Sequence, residues 1–433
     1  MKYLMLGSSL RGLDSAARAA VGDGHDVVLY DAERPGAPEG LAGRVAVLDP
    51  VWSPAHLDGV ERIVTSPWFA ETEGPLADAI ERDIDVITEA GYGLERLDVR
   101  VVAITGTNGK TTVTEVTTEM LRRSGVDARA AGNIGLPVSA VRPGDAEMLV
   151  LELSSYQLRF IGALRPEAAT ILNIAPDHLD WHGSFEAYAS AKARIFDGAT
   201  TTTVIAYDPD DPLVSGIVSD IAGRIVPCSG RRVPDGGNGA VGAAVTIAGS
   251  TSLAATTDPS YLFDLVVAGT LADACGASPE AVASVIATFA PGPHRREQVA
   301  IVGGVAWVND SKATNPHAAV AAIVAYPSVI LLAGGRNKDL DLAPLVEAPS
   351  LKALIAFGES GPEIAAAAIR RGGLPTTVVD RLDEAVAAAA SMAQHGDTVL
   401  LSPGCASFDQ FASYAARGDA FRTLVEDLPG VAA

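Results

Sequence analysis

The sequence predicts an α/β protein built as three units in series. Three observations predict this class. Short apolar runs alternate with helical stretches along most of the chain. Polar or Gly-rich turns directly follow several of those runs. The length of 433 residues exceeds what one core organises, since a domain holds roughly 150 residues.

The first unit runs from Met1 to about Leu97, with strand candidates at Tyr3–Leu6, Val27–Tyr30, Val45–Leu48, Ile63–Thr65 and Val86–Thr88. The second, 98–291, opens on Val101–Ile104 and continues with Met148–Leu151, Thr170–Asn173 and Thr203–Tyr207. Ser229–Ser250 reads as a Gly-rich loop with a weak strand, and Leu262–Phe289 as an Ala-rich helical pattern. Pro291-Gly292-Pro293 breaks the chain. The third unit, 292–433, alternates again, with strands at Val305–Asn309, Val329–Leu332, Ala353–Phe357, Thr376–Val379 and Thr398–Leu401.

Composition excludes several classes. Hydrophobic residues at 48% and charged residues at 20% match a globular chain and exclude a disordered one. A formal charge of -21 opposes nonspecific attraction to nucleic acid or to an anionic membrane. Three cysteines, Cys228, Cys275 and Cys405, fit a reduced, cytoplasmic protein without a disulfide framework. The start, MKYLMLGSSLRG, reads as a strand and a turn rather than a signal peptide. The longest apolar stretch, Ala318–Ala333, contains Pro327 and is shorter than the ~20 residues that span a bilayer; a helix ending near Tyr326 and a strand at Val329–Leu332 explain it.

The chemistry concentrates in the turns. Gly106-Thr107-Asn108-Gly109-Lys110-Thr111-Thr112 joins a buried strand to the helical pattern Val113–Arg123. Backbone N–H groups of such a loop point at anionic oxygens, Lys110 neutralises terminal phosphates, and the Thr111 hydroxyl is placed for Mg²⁺. Glu152 closes the run Met148–Leu151, where ligands collect in open α/β sheets, and a carboxylate beside a phosphate loop is suited to Mg²⁺. Asp177 and His178 follow another apolar run, and two acids beside His178 favour a metal-facing role. His182 reads as a solvent-facing turn residue, and Lys192, in the helical stretch Phe185–Phe196, as a solvated helix face. In the third unit, polar turns carrying Arg295, Lys312, Lys338 and Ser407 converge on one sheet edge, where cations suit a substrate with two carboxylates.

Taken together, TGTNGKTT, LELSSYQL, NIAPDHLDWHGSFEAYASAKARIF, GPHRRE, NDSKATNPHAA and LSPGCASFDQFASYAARGDAF resemble the Mur ligase family, most closely its glutamate-adding branch. The resemblance covers Val101 to the C-terminus. It implies an N-terminal Rossmann-like domain for a UDP-linked substrate, a central P-loop ATPase-like domain and a C-terminal Rossmann-like domain for the incoming amino acid. It implies an ATP-dependent amide ligase that adds D-glutamate to UDP-N-acetylmuramoyl-L-alanine through an acyl phosphate, in peptidoglycan precursor synthesis. The alternative is a paralogue using L-glutamate or another UDP-sugar peptide. The cofactors implied are ATP and Mg²⁺, and the expected state is a monomer without nucleic-acid partners.

By the same resemblance, Lys110 and Thr111 bind ATP phosphates and Mg²⁺, and Glu152 shares the metal. His178 serves a second Mg²⁺, and Lys192 matches a lysine that is carbamylated in the family, replacing its surface reading. Asn133 lies near the phosphates and Arg295 near the nucleotide. Lys312, Thr314, Lys338, Ser407 and Tyr414 hold glutamate, and Asp31 suits the uridine. The chain departs from the family pattern at Gly7–Gly12, at Thr65-Ser66-Pro67-Trp68, and at Ser260–Asp264, where an HNxxN-type run usually stands.

Overall fold

A computed structural model of the chain describes residues 1–7, 12–66, 69, 71–72 and 74–429. The middle of the Gly7–Gly12 turn and the Pro67-Trp68 pair lie outside the described residues.

Three sheets carry the fold. The first holds β1 (Lys2–Leu6), β2 (Asp26–Tyr30), β3 (Ala46–Val47), β4 (Arg62–Thr65) and β5 (Asp85–Thr88), all parallel, in the order β3-β2-β1-β4-β5. The second has β6 (Arg100–Thr105), β7 (Ala128–Gly132), β8 (Met148–Glu152), β9 (Ala168–Ile171), β10 (Val204–Tyr207), β11 (Arg224–Ser229), β12 (Asn238–Val241), β13 (Ala244–Ile247) and β14 (Ser250–Leu253). Its order is β14-β13-β12-β11-β10-β9-β6-β8-β7. The third has β15 (Glu297–Val302), β16 (Val305–Asn309), β17 (Val329–Gly334), β18 (Leu351–Phe357), β19 (Thr376–Val378) and β20 (Thr398–Gly404), ordered β15-β16-β20-β17-β18-β19.

The apolar runs are continuous because each central strand feeds two covered faces. Side chains alternate across a strand, so Leu4 and Leu6 join one core while Tyr3 and Met5 join the other. The same split divides Val102 and Ile104 from Val101 and Ala103 on β6, and Leu331 and Ala333 from Ile330 and Leu332 on β17. Truncating one such leucine to alanine costs about 2–5 kcal/mol.

The chain divides into two compact units, Met1–Ile174 with Trp181–Phe289, and Ala175–Asp180 with Ala290–Ala433. The first two sheets therefore share one unit, and the hexapeptide carrying Asp177 and His178 belongs with the third sheet. Among the described residues, no helix is long and apolar enough to cross a membrane. In the stretch Ala318–Ala333, the helix Pro316–Ile323 ends before Tyr326 and β17 begins at Val329.

Three local expectations are corrected. Ser229–Ser250 holds two full strands, β12 and β13, rather than one weak one, and β13 pairs antiparallel with both β12 and β14. Ala248 at φ 48° and Gly249 at φ 82° form the tight turn that joins β13 to β14. The Leu262–Phe289 pattern is two helices, Pro259–Ala274 and Pro279–Thr288. Gly276 at φ 96° ends the first, and the Ser278 side chain caps the second by accepting from the Ala281 N–H. Three strands are additional, β7, β11 and β15; Gly303 and Gly304, both at positive φ, turn β15 back along β16.

Candidate active site

β6 is flanked by β8 on one side and β9 on the other, so the chain leaves it in opposite directions. A parallel sheet opens a crevice at such a reversal, outside the carboxyl ends of its strands. Gly106–Gly109 leaves β6 there, and the helix Lys110–Arg123 begins at once. Gly109 caps that helix at φ 85°, a conformation that disfavours a side chain, and a Cβ there would stand 2.7 Å from the Asp264 Oδ1.

Neighbouring strand ends hold the loop. The Thr107 N–H donates to the Asn173 carbonyl at 2.9 Å, and the Asn108 N–H to the Asn173 Oδ1 at 2.9 Å. The Asn173 amide returns a bond to the Asn108 carbonyl at 3.2 Å. Two amines reach the same acceptor: Lys110 Nζ and Lys192 Nζ each donate to the Gly106 carbonyl at 2.9 Å. Lys110 also donates to the Thr107 carbonyl at 3.0 Å.

Lys192 is 2% exposed, so its reading as a solvated helix face is wrong. Its ammonium lies 4.6 Å over the Tyr188 ring, one helical turn earlier, and the Tyr188 hydroxyl pairs with Thr107 Oγ1 at 2.9 Å. Tyr188 escaped the sequence reading, although its spacing of four from Lys192 was the available signal. His182 is likewise buried, not solvent-facing: its Nε2 pairs with Ser155 Oγ at 2.9 Å, and its ring packs against Tyr156, Trp181 and Tyr188.

Glu152 ends β8 and is 2% exposed. Its Oε1 accepts from the Asn133 amide at 2.7 Å, while its Oε2 is buried without a hydrogen-bond partner. An orphaned carboxylate oxygen is costly unless something binds it, and a hard cation is the natural occupant. Thr111 stands in the first turn of the adjoining helix and Thr112 is buried behind it. No group of three or more His, Cys, Asp or Glu stands close enough to hold a metal among the described residues. In the first sheet, Asp31 follows β2 and is buried, and its Oδ1 accepts from the Glu33 and Arg34 N–H groups at 3.0 and 2.9 Å.

In the third sheet, the turns carrying Lys312, Arg336–Lys338 and Ser407 leave the adjacent strands β16, β17 and β20. Lys338 Nζ is ion-paired to Asp177 Oδ1 at 3.1 Å, and Asn315 donates to Asp177 Oδ2 at 3.4 Å. His178 lies beside that carboxylate, with its Nε2 3.7 Å from Asp177 Oδ2. Lys312 Nζ stands 5.3 Å over the Tyr414 ring, Ser407 is buried, and Thr314 is half-buried. The Lys312 N–H donates to the His294 carbonyl, bringing the segment with Arg295 against this edge.

Asp310 was given no role from sequence, yet it is buried at the base of this edge. Burial pushes its carboxyl up to about 6, while Arg296 and Ser402 pull it down. Ser402 Oγ donates to its Oδ2 at 2.7 Å and the Arg296 N–H to its Oδ1 at 3.1 Å. Arg417 was also missed. Its guanidinium is 1% exposed and hydrogen-bonds to the turns after β16, β17 and β20. Burial lowers its pKa to about 10, which leaves it charged at neutral pH.

Comparison with known proteins matches both edges. Residues 104–226 match the Mur ligase middle domain, and residues 294–405 the Mur ligase glutamate ligase domain. The UDP-N-acetylmuramoylalanine–D-glutamate ligase of Frankia casuarinae is 39% identical, covering 99% of this chain and 95% of the relative. The enzyme of that name from Thermobifida fusca is 36% identical over 96% of this chain and 95% of its own. Among solved structures, a pseudomurein peptide ligase type C from Methanothermus fervidus aligns with TM-score 0.62 at 17% identity, covering 98% of this chain and 99% of that one. MurF ligase from Thermotoga maritima in complex with ADP aligns with TM-score 0.60 at 16% identity, covering 93% and 95%. With a phosphate loop at one strand edge, cationic turns at another, and near full-length relatives well above 30% identity, the chain belongs to the Mur ligase family.

Proposed function

We propose that this chain is an ATP-dependent amide ligase that adds D-glutamate to UDP-N-acetylmuramoyl-L-alanine in peptidoglycan precursor synthesis. The observation that carries the reading is the edge around β6, where a phosphate loop, two amines and a carboxylate with an orphaned oxygen meet. The names of the relatives from Frankia casuarinae and Thermobifida fusca support the choice of acceptor and amino acid, and the ADP-bound MurF supports ATP. The reading assigns residues 1–97 to the UDP-linked substrate, with Asp31 at the uridine, 98–291 to ATP, and 292–433 to glutamate. It places the protein in the cytoplasm as a monomer.

The chemistry follows from charge. A carboxylate oxygen of the acceptor attacks the γ-phosphorus of ATP, the bond to the bridging oxygen breaks, and ADP leaves. Two anions must approach, so the helix start at Gly109, Thr111 and Thr112 holds the phosphates and Lys110 offsets their repulsion, while Gly106, Thr107 and Asn108 shape the loop, the N–H groups of Thr107 and Asn108 being taken by Asn173. Asn133 orients Glu152, and Arg295 adds positive charge at the nucleotide. Glu152 and Thr111 would hold Mg²⁺, which would neutralise phosphate charge; His178 in its unit and a carbamylated Lys192 in the other are each assigned a metal-facing role. The acyl phosphate is then electrophilic. Lys312, Thr314, Lys338, Ser407 and Tyr414 orient glutamate so that its neutral amine attacks the carbonyl carbon, phosphate leaves, and the nitrogen loses its proton.

The test is phosphate release from ATP with UDP-N-acetylmuramoyl-L-alanine and each glutamate enantiomer. Release with D-glutamate alone is expected. Release with L-glutamate alone assigns the chain to the other branch, and no release with either overturns the reading.

A further inference from the structure

Arg417 poses a physical problem that its environment answers. It sits in the first turn of the helix Tyr414–Glu426 and is among the largest fully buried side chains of the protein. Burying a cation is expensive unless an anion or several dipoles face it. Among the described residues no carboxylate hydrogen-bonds to it: every acceptor of the guanidinium is a backbone carbonyl or the Ser311 hydroxyl, and Asp409 acts on it through charge alone. Nε donates to Ser311 Oγ at 3.0 Å, and Nη2 to the Ser311 and Cys405 carbonyls at 2.9 and 3.2 Å. Nη1 donates to the Cys405 carbonyl at 3.1 Å, and to the Gly334 and Ala406 carbonyls at 3.4 Å each.

The identity of those carbonyls matters. A peptide unit is planar, so fixing a carbonyl also fixes the N–H and Cα of the next residue. The Ser311 carbonyl precedes Lys312, and the Ala406 carbonyl precedes Ser407. Ser311 Oγ, which accepts from Arg417, donates its own hydrogen bond to the Tyr414 carbonyl at 2.8 Å. The backbones of Lys312, Ser407 and Tyr414 are thus all set by one planar group from beneath. Lysine is a single point donor and cannot span the turns after three strands.

We infer that Arg417 is a positioning residue for the amino-acid substrate: it locks the turns that bear Lys312 and Ser407 together with the helix start at Tyr414, and its buried positive charge favours a ligand carrying two carboxylates. The inference rests on the proposed glutamate site. It assigns Arg417 a selective effect, on glutamate and not on ATP or the UDP-linked acceptor.

The experiment is steady-state kinetics of Arg417→Lys and Ser311→Ala, varying each substrate in turn, with thermal melting recorded for each variant. Arg417→Lys is expected to raise the KM for D-glutamate by about tenfold or more, with the KM for ATP and acceptor changed by less than about twofold. Ser311→Ala, a much smaller lesion, follows the same pattern at about threefold and decides the matter if Arg417→Lys does not fold. An unchanged KM for glutamate, or an equal rise for all three substrates, overturns the inference. Lys312→Ala separates the two failures. If it raises the glutamate KM while Arg417→Lys and Ser311→Ala do not, only the role of Arg417 falls. If Lys312→Ala also has no effect, the glutamate site itself is misassigned.

Discussion

The strand edge at β6 and the strand edge at β16, β20 and β17 are built by opposite means. At β6 the loop is held by backbone groups and Asn173, and its cations, Lys110 and Lys192, point into the loop at the Gly106 carbonyl. At the other edge a buried guanidinium holds the turns from below, while Lys312 and Lys338 remain near the rim. The difference tracks the ligand. A triphosphate presents many oxygens and is cradled by many N–H groups, so loop shape dominates. A small amino acid offers few contacts, so the accuracy of each depends on the support behind it.

The largest expected effect breaks the first half of that contrast. Lys110→Ala removes the amine that offsets phosphate repulsion, and kcat is expected to fall by about 10²–10³-fold with the melting temperature little changed. Lys192→Ala leaves Lys110 as the one amine on the Gly106 carbonyl, and is expected to cost about 10²-fold, with partial recovery on adding a short carboxylate. Full turnover of the Lys192 variant removes it from the metal-facing role. Turnover in both is read as phosphate release at saturating substrate.

A smaller effect lies away from both edges and serves as a control. Glu89, at the start of the helix Glu89–Glu95, is 5% exposed and accepts from the Ser139 N–H at 2.6 Å. Burial pushes its carboxyl from 4.5 up to about 7. The folded state therefore keeps this proton where the unfolded chain loses it. The stability it contributes is present below 4.5 and is lost as pH rises through about 7. Denaturant unfolding of Glu89→Gln against wild type is expected to show the variant gaining about 1–3 kcal/mol between about pH 5 and pH 8. A difference independent of pH contradicts the burial argument, and neither edge is expected to lose activity.

Much of this architecture was legible in the chain because buried parallel strands need continuous apolar runs and ligands collect where those runs end. Val101–Ile104, Met148–Leu151 and Val305–Asn309 announce themselves in this way, and so do Lys110, Glu152 and Lys312 behind them. Ala128–Gly132 did not, because ARAAG has neither β-branched residues nor alternation; its place in the sheet comes from pairing with β8. The antiparallel strands at 238–253 were hidden by small residues, although Gly242 and the Ala248-Gly249 turn marked their ends. Lys192 and Arg417 were opaque for another reason: a cation within a helix reads as solvated until tertiary packing covers it. His182 was opaque in the same sense, since its partners Ser155 and Tyr156 lie far off in sequence.

The central claim is that the acceptor's carboxylate is phosphorylated before the amine arrives. Its most direct test uses UDP-N-acetylmuramoyl-L-alanine labelled with ¹⁸O in the alanine carboxylate, with ATP and D-glutamate. The phosphate released is then analysed by mass spectrometry. Since the attacking oxygen stays on phosphorus when the amine displaces phosphate, one labelled oxygen is expected in each phosphate formed. Phosphate released without label, alongside amide product, contradicts the account.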